Sequence, residues 1–286
     1  MKLPELRPST YPTPADLITR RIAAGSAPVA PLAPGVTARQ AVFGGVPCIA
    51  CTPATTRGLM VYFHGGGFRL GSASRSAPFA SQMARATQLT VVTVDYRLAP
   101  EHPFPAALQD AAAVYTALLA DGQPVVAAGD SAGGGLAAAL VVAASTSDVA
   151  PPAALVLVSP WLDLTCTAST FESRAGTDEL FSLASAREAA DMYLQGHEAP
   201  DPLASPLLAT LDGWPPTLVL ASADEVLLED SVRFATARAM SGIPVTMHVH
   251  AGLPHVWPVV TPDHPASSDA LSEIGSFVTG VLRNFD

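Results

Sequence analysis

The chain is poor in charge, in positive charge especially, and in cysteine. Charged residues make up 14% of its 286 residues, too few for a solvated, disordered polymer. Lys and Arg number 15 against 25 Asp and Glu, a formal net charge of -10. Such a balance disfavours a nucleic-acid or anionic-membrane surface. The cysteines are three, Cys48, Cys51 and Cys166. Cys48 and Cys51 have C-x-x-C spacing but lie in a strand pattern. No second Cys/His pair is spaced to complete a metal or redox site, so they read as buried strand thiols. No stretch reaches the roughly 18 uninterrupted apolar residues of a membrane span. Residues 1–11 hold Lys, Glu, Arg and Pro without an apolar core, which is not the pattern of a signal peptide. The expectation is a soluble, cytoplasmic protein with no nucleic-acid or membrane partner. No internal repeat is present.

What the chain has is apolar bulk. Hydrophobic residues are 49%, and a compact domain of this length buries roughly three quarters of its unfolded surface. Residues 1–37 are Pro-rich (Pro4, Pro8, Pro12, Pro14, Pro28, Pro31, Pro34), leaving room for one short helix near 15–24. This leader is read as a cap segment over a pocket. Residues 38–286 are read as the catalytic domain. Runs at 38–43 and 46–52 flank Gly44-Gly45 as a hairpin. Mostly apolar runs follow at 58–63, 89–94, 124–128, 154–158 and 216–220, and a further strand at 245–249, with helical patterns between them. Strands without polar alternation, separated by helices, form a parallel sheet covered on both faces. The expected fold is therefore α/β, a mostly parallel sheet of about eight strands, antiparallel at its start. Between Trp161 and Trp214 the rhythm breaks. Residues 162–213 hold a helical stretch near 185–194 and no strand, and are read as a helical cap of the kind that often acts as a lid.

The residues with chemical potential gather at strand ends, where such sheets carry their function. Val125-Val126-Ala127-Ala128-Gly129-Asp130-Ser131-Ala132-Gly133-Gly134-Gly135 reads as strand, tight turn and helix. Its Gly129-x-Ser131-x-Gly133 matches a nucleophile elbow, in which the Ser sits exposed on a strained turn. A Ser hydroxyl needs a base, and the base needs an orienting group. Among seven histidines, the chain order expected of this arrangement selects His255, after the last strand. His248 and His250 alternate along a strand and read as strand or edge residues. The acid belongs after the 216–220 strand, in Ala221-Ser222-Ala223-Asp224-Glu225. Asp224 comes first off the strand and is the first choice. Glu225 and Asp230 compete with it, and Asp230 is more simply an N-cap of the next helix. His64-Gly65-Gly66-Gly67 after the 58–63 strand suits oxyanion stabilisation by backbone N–H groups, together with the N–H of Ala132. No Gly-Lys-Ser/Thr follows these glycines, so they are not a phosphate loop.

Taken together, the chain resembles the hormone-sensitive-lipase-like family of α/β-hydrolases, in its bacterial carboxylesterase branch. The resemblance rests on His64-Gly65-Gly66-Gly67, Asp95-Tyr96-Arg97-Leu98-Ala99-Pro100-Glu101, His102-Pro103-Phe104-Pro105, Gly129-Asp130-Ser131-Ala132-Gly133-Gly134, Asp201-Pro202-Leu203-Ala204-Ser205-Pro206 and Pro254-His255. It implies a triad of Ser131, Asp224 and His255, and an oxyanion hole from the N–H groups of Gly66, Gly67 and Ala132. It also implies that His64, Tyr96, Arg97 and Glu101 brace the surrounding loops. Many relatives follow the catalytic Asp with Pro-Leu, whereas Asp224 is followed by Glu225-Val226-Leu227. The expected activity is hydrolysis of short- to medium-chain acyl esters through an acyl-enzyme, with no metal or organic cofactor. A lactone or amide hydrolase would use the same residues. A non-catalytic receptor on this fold should lack a usable His, and His255 is present. The charged residues of the insertion (Glu172, Arg174, Asp178, Glu179, Arg187, Glu188, Asp191, Glu198) argue against a greasy lid for an oil surface. Relatives often pair through the last strand, so a homodimer is an expectation.

Overall fold

The computed structural model describes residues 1–210 and 213–285. Residues 211–212 of the expected insertion lie outside the described residues. The chain runs through α1 (Ala15–Ser26), β1 (Val36–Phe43), β2 (Val46–Pro53), β3 (Leu59–Phe63), α2 (Ala73–Thr87), β4 (Thr90–Val94), α3 (Ala106–Leu118), β5 (Val125–Asp130) and α4 (Ala132–Ser145). It continues with β6 (Ala154–Val158), α5 (Thr170–Ser173), α6 (Leu183–Leu194), β7 (Thr217–Ser222), α7 (Leu228–Met240), β8 (Val245–His250), α8 (Trp257–Val260) and α9 (Pro265–Leu282). The sheet has 8 strands in the order β1-β2-β4-β3-β5-β6-β7-β8. The β1–β2 and β2–β4 pairs are antiparallel and every other pair is parallel. This is the mostly parallel α/β sheet expected from the apolar runs.

Alternation along the strands divides the core between two faces. Val61 and Phe63 of β3 pack with Leu108 and Tyr115 of α3, Leu136 and Leu140 of α4, and Phe234 of α7. Met60 and Tyr62 pack on the other side with Phe79 and Met83 of α2 and Ile274 and Val278 of α9. Both sides are dry, which is why the strands carry no polar alternation. The same alternation sends Cys48 to one face and Cys51 to the other. Both are free and buried, and burial pushes each thiol up to about 11. Among the described residues no helix is long and apolar enough to cross a membrane.

Register aligns the carboxyl ends. Phe63 lies beside Gly129, Asp130 beside Val158, Val158 beside Leu220, and Ser222 beside His250. The loops after β3, β5, β6, β7 and β8 therefore open along one edge. The leader lies over that region. Arg21 donates to the carbonyls of Arg69 (2.9 Å) and Ala99 (2.7 Å) and to Glu101 (2.6 Å). The Thr10 N–H donates to Gln195 just past α6 (2.7 Å), and Gln195 in turn donates to the Pro100 carbonyl (2.7 Å).

The tightest approach is at the start of α4. A Cβ on Gly133 would stand 2.0 Å from the Phe63 carbonyl oxygen and 2.5 Å from that of His64. Gly133→Ala should therefore destabilise the protein by about 1–3 kcal/mol in urea unfolding, although Ala normally gains close to 1 kcal/mol over Gly in a helix. Gly176, with nothing within 4 Å, is the control, and its Ala variant should stay within about 0.5 kcal/mol of the parent. A neutral or stabilising Gly133→Ala would contradict the packing described.

Candidate active site

Ser131 closes β5 and begins α4 with φ 50° and ψ -122°. That left-handed backbone is unusual for a residue with a side chain and lifts its Oγ off the sheet edge. The turn is held by its neighbours: Ser131 N–H donates to the Val158 carbonyl (3.0 Å), and its own carbonyl accepts from Trp161 N–H (2.9 Å) and Gly135 N–H (3.1 Å).

His255 faces Ser131, with Nε2 3.0 Å from Oγ. Its Nδ1 lies 2.7 Å from Oε2 of Glu225. Ser131, His255 and Glu225 are 7%, 6% and 0% exposed. Burial alone would depress the imidazole's basicity. The hydrogen bond and charge of Glu225, helped by Asp178 and Asp130, outweigh that and leave it raised above its ordinary 6.5. No other described histidine faces Ser131 at hydrogen-bond distance. His197 pairs with Asp201 (2.7 Å), His264 Nδ1 accepts from Ala266 N–H at the start of α9 (3.2 Å), and His248 and His250 lie on β8 near Glu273.

The acid expected at Asp224 is corrected by this geometry. The Asp224 carboxylate turns away and accepts from Gly252 N–H, while its own N–H donates to Ser222 Oγ (3.0 Å). Glu225 folds back so that Oε1 accepts from Ser222 N–H (3.1 Å), which leaves Oε2 aimed at His255. The longer side chain one residue later reaches the ring from beneath the turn. Asp230 is likewise not an N-cap. It lies inside α7, accepts from Leu162 N–H (2.9 Å) and Asp163 N–H (3.0 Å), and is pushed up to about 7 by burial, which those bonds only partly offset. One sequence signal did point to Glu225: Glu225-Val226-Leu227 keeps the acid-x-Leu spacing of the family's Asp-Pro-Leu, one residue later than Asp224.

The glycine loop is fastened to the elbow by Asp130. Its Oδ1 accepts from Gly65 N–H (2.9 Å) and from the Tyr62 hydroxyl. Gly66 and Gly67 take φ 116° and 60°, and the Gly66 carbonyl is used by Arg69 and Leu70 N–H (3.1 and 3.0 Å). The N–H groups of Gly66, Gly67 and Ala132 have no acceptor among the described residues. The expected bracing residues are all engaged. Tyr96 stacks on His64 (4.4 Å between centroids) and donates to its carbonyl (2.7 Å), Arg97 forks onto Asp110 (2.8–3.0 Å), and Glu101 pairs with Arg21.

Two residues of the insertion, Phe181 and Asp178, join the site. The Phe181 ring lies nearly parallel to His255 (5.9 Å between centroids, 14°). Asp178 accepts from Phe181 N–H and from Val226 N–H (2.9 Å each), so one carboxylate seats both that ring and the turn behind Glu225. Phe181 meets Trp161 edge-on (5.4 Å), and Trp161 approaches Phe68 (6.1 Å). Trp214 and Trp257 pack on Phe234 and on His250.

Comparison with known proteins agrees with this arrangement. A family model described as alpha/beta hydrolase fold matches residues 60–259. An acetyl-hydrolase of Streptomyces hygroscopicus is 38% identical over 222 residues, 77% of this chain and 74% of that protein. An esterase of Acinetobacter venetianus is 35% identical over 232 residues, 80% and 77% of the two chains. The crystal structure of an esterase from the bacterial hormone-sensitive lipase family superposes with TM-score 0.86 at 35% identity, covering 94% of this chain and 92% of that one.

The raised basicity of His255 fixes a pH dependence. A general base must be neutral, so kcat/KM for a soluble ester should fall as pH drops through a midpoint above 6.5. Glu225→Gln removes the main raising contact and leaves burial, so the midpoint should move to lower pH. Linkage gives the matching stability term: the charged His255–Glu225 pair contributes fully below 6.5 and fades as pH rises through the folded value. A midpoint unmoved by Glu225→Gln would contradict the pairing.

Proposed function

We propose that Ser131 is the nucleophile with which this chain, a member of the hormone-sensitive-lipase-like family of α/β-hydrolases and a carboxylic ester hydrolase, cleaves its substrates. The reading rests on one observation, the unbroken relay from Ser131 Oγ through His255 to the buried Glu225. His255 Nε2 takes the hydroxyl proton as Oγ attacks the ester carbonyl. Glu225 holds the ring by Nδ1 and stabilises its charged form. The unpartnered N–H groups of Gly66, Gly67 and Ala132 receive the charge that develops on the carbonyl oxygen. His255 then protonates the departing alkoxide. The acyl group remains on Ser131 until a water, deprotonated by His255, releases it and restores the hydroxyl.

Short- to medium-chain acyl esters fit the surroundings best. Ser131 is 7% exposed, and the wall of Phe181, Trp161 and Phe68 is apolar but closely packed. The leader and the insertion together cover the strand ends. An extended acyl chain would have to displace aromatic contacts that short chains leave in place.

Ser131→Ala should abolish ester hydrolysis with an unchanged unfolding curve. Glu225→Gln should cost up to about 10⁴-fold in turnover, the size of a lost triad acid. Asp224→Asn should cost far less, because among the described residues its carboxylate accepts from the Gly252 N–H and not from His255. Should Asp224→Asn prove the more damaging of the two, the acid is misassigned. In a rate series on p-nitrophenyl acetate, butyrate, octanoate and laurate, laurate should be the poorest. A lactone and an anilide assayed beside them should react more slowly than the short esters.

A further inference from the structure

Apart from the relay there is a second meeting of histidine and carboxylate. His248 and His250 are two apart on β8, so their side chains leave the same face of the strand. Glu273 faces them from α9. One ligand atom from each lies within 4.8 Å of the others. His248 Nδ1 is 2.7 Å and His250 Nε2 3.8 Å from Glu273 Oε2. In a tetrahedral centre with bonds of roughly 2.0–2.2 Å, ligand atoms stand about 3.3 Å apart, and the observed spacings straddle that value. Glu273 Oε2 and His250 Nε2 are closed off from solvent and have no aligned hydrogen bond. The short approach of His248 to Glu273 is an ion-pair contact when that imidazole is protonated, and when it is not the two atoms offer their lone pairs to a shared cation. The three residues border a cavity of ≈ 600 Å³ that is also lined by Asp269, one helical turn before Glu273.

We propose that His248, His250 and Glu273 form a binding site for one Zn²⁺ ion. Two imidazoles and one carboxylate are the donor set of a borderline transition ion. Ca²⁺ and Mg²⁺ prefer oxygen ligands throughout. Water from the cavity completes the fourth position. The site is separate from the Ser131–His255–Glu225 relay, and its consequence is mechanical. β8 is the last strand of the sheet, held by pairing on one side to β7. The ion would clamp it to α9. His250 also accepts from Ala223 N–H through its carbonyl (2.7 Å) and packs its ring on Trp257 (4.9 Å). The clamp therefore sits at the root of the two loops that carry Glu225 and His255.

The test is calorimetric titration of chelator-stripped protein with ZnCl₂, read with its thermal unfolding and with the visible spectrum of the Co²⁺-loaded form. Saturable binding at one ion per chain is expected, with a melting temperature that rises with free Zn²⁺ by mass action and a tetrahedral Co²⁺ spectrum. His248→Gln and Glu273→Gln should each weaken binding by at least about 100-fold, more than loss of an outer-shell partner costs, and should cancel the thermal shift. Both variants replace partly exposed side chains and should keep ester hydrolysis in the absence of metal. His102→Ala, an exposed histidine elsewhere, should bind as the parent does. The proposal is overturned by absence of saturable binding. It is equally overturned by an ion that survives His248→Gln and Glu273→Gln but is lost in Glu225→Gln, which would place it on the catalytic pair.

Discussion

Everything above the sheet depends on how closely the first turn of α4 sits against the ends of β3 and β5. Ser131 is held at φ 50°, a conformation that costs a side-chain-bearing residue on the order of 1–3 kcal/mol. The cost is met by bonds that leave the turn no alternative. Both backbone groups of Ser131 are used by residues at and beyond the end of β6. The end of β6 repeats the device: Ser159 takes φ 47°, its N–H donates to Leu220 (2.7 Å), and its Oγ accepts from Val256 N–H, next to His255 (3.1 Å). Ser131, the neighbouring strand and the loop bearing His255 are thus a single bonded series. A shift of any member would be felt at the 3.0 Å contact between Ser131 and His255.

Carboxylates do most of the fastening. Asp95 accepts from Ala73 N–H at the start of α2, Asp110 from Arg97 N–H, Asp130 from Gly65 N–H, and Asp230 from Leu162 and Asp163 N–H. Several are buried, and burial drives Asp130 above the ordinary carboxylate range even with its bonds in place. A chain with little charge places much of what it has at strand ends, where orphan backbone donors need acceptors. Glu225 belongs to this group through Ser222 N–H. It differs only in having its second oxygen directed at an imidazole.

That shared duty explains what could and could not be read in the sequence. The strands β3 to β7 were legible because each is buried on both faces and so appears as an apolar run, while β1 and β2 were legible from the Gly44-Gly45 turn between them. The elbow was legible because close approach forbids side chains around Ser131. His255 was legible from chain order. Asp224 and Glu225 were not separable by burial pattern, since both follow β7 and both fasten backbone. The difference lies in one turn's register, for which acid-x-Leu spacing was the only trace. The short α5 and α8 were not expected, being single turns with Pro258 inside the latter. Asp178 and Phe181 lay in a stretch without periodicity, and their positions follow from tertiary contact alone.

Those two residues bear on how the insertion behaves. A hinged flap needs a seam that opens without disturbing what lies beneath it. Here the seam is closed by specific bonds: Asp178 to Val226 N–H (2.9 Å), Thr177 to the Asp224 carbonyl (2.8 Å), Thr170 to the Val226 carbonyl (2.7 Å), and Ser169 N–H to Glu229 (2.6 Å). All end on residues 224–229, which include Glu225. Lifting this part of the insertion would release the turn that aims Glu225 and admit water to a pair whose attraction depends on being dry. The segment around Asp178 therefore acts as a fixed wall of the site. The leader, by contrast, is fastened by Arg21 to the Arg69 and Ala99 carbonyls and to Glu101, and by Thr10 N–H to Gln195, none of which belongs to the Ser131–His255–Glu225 relay.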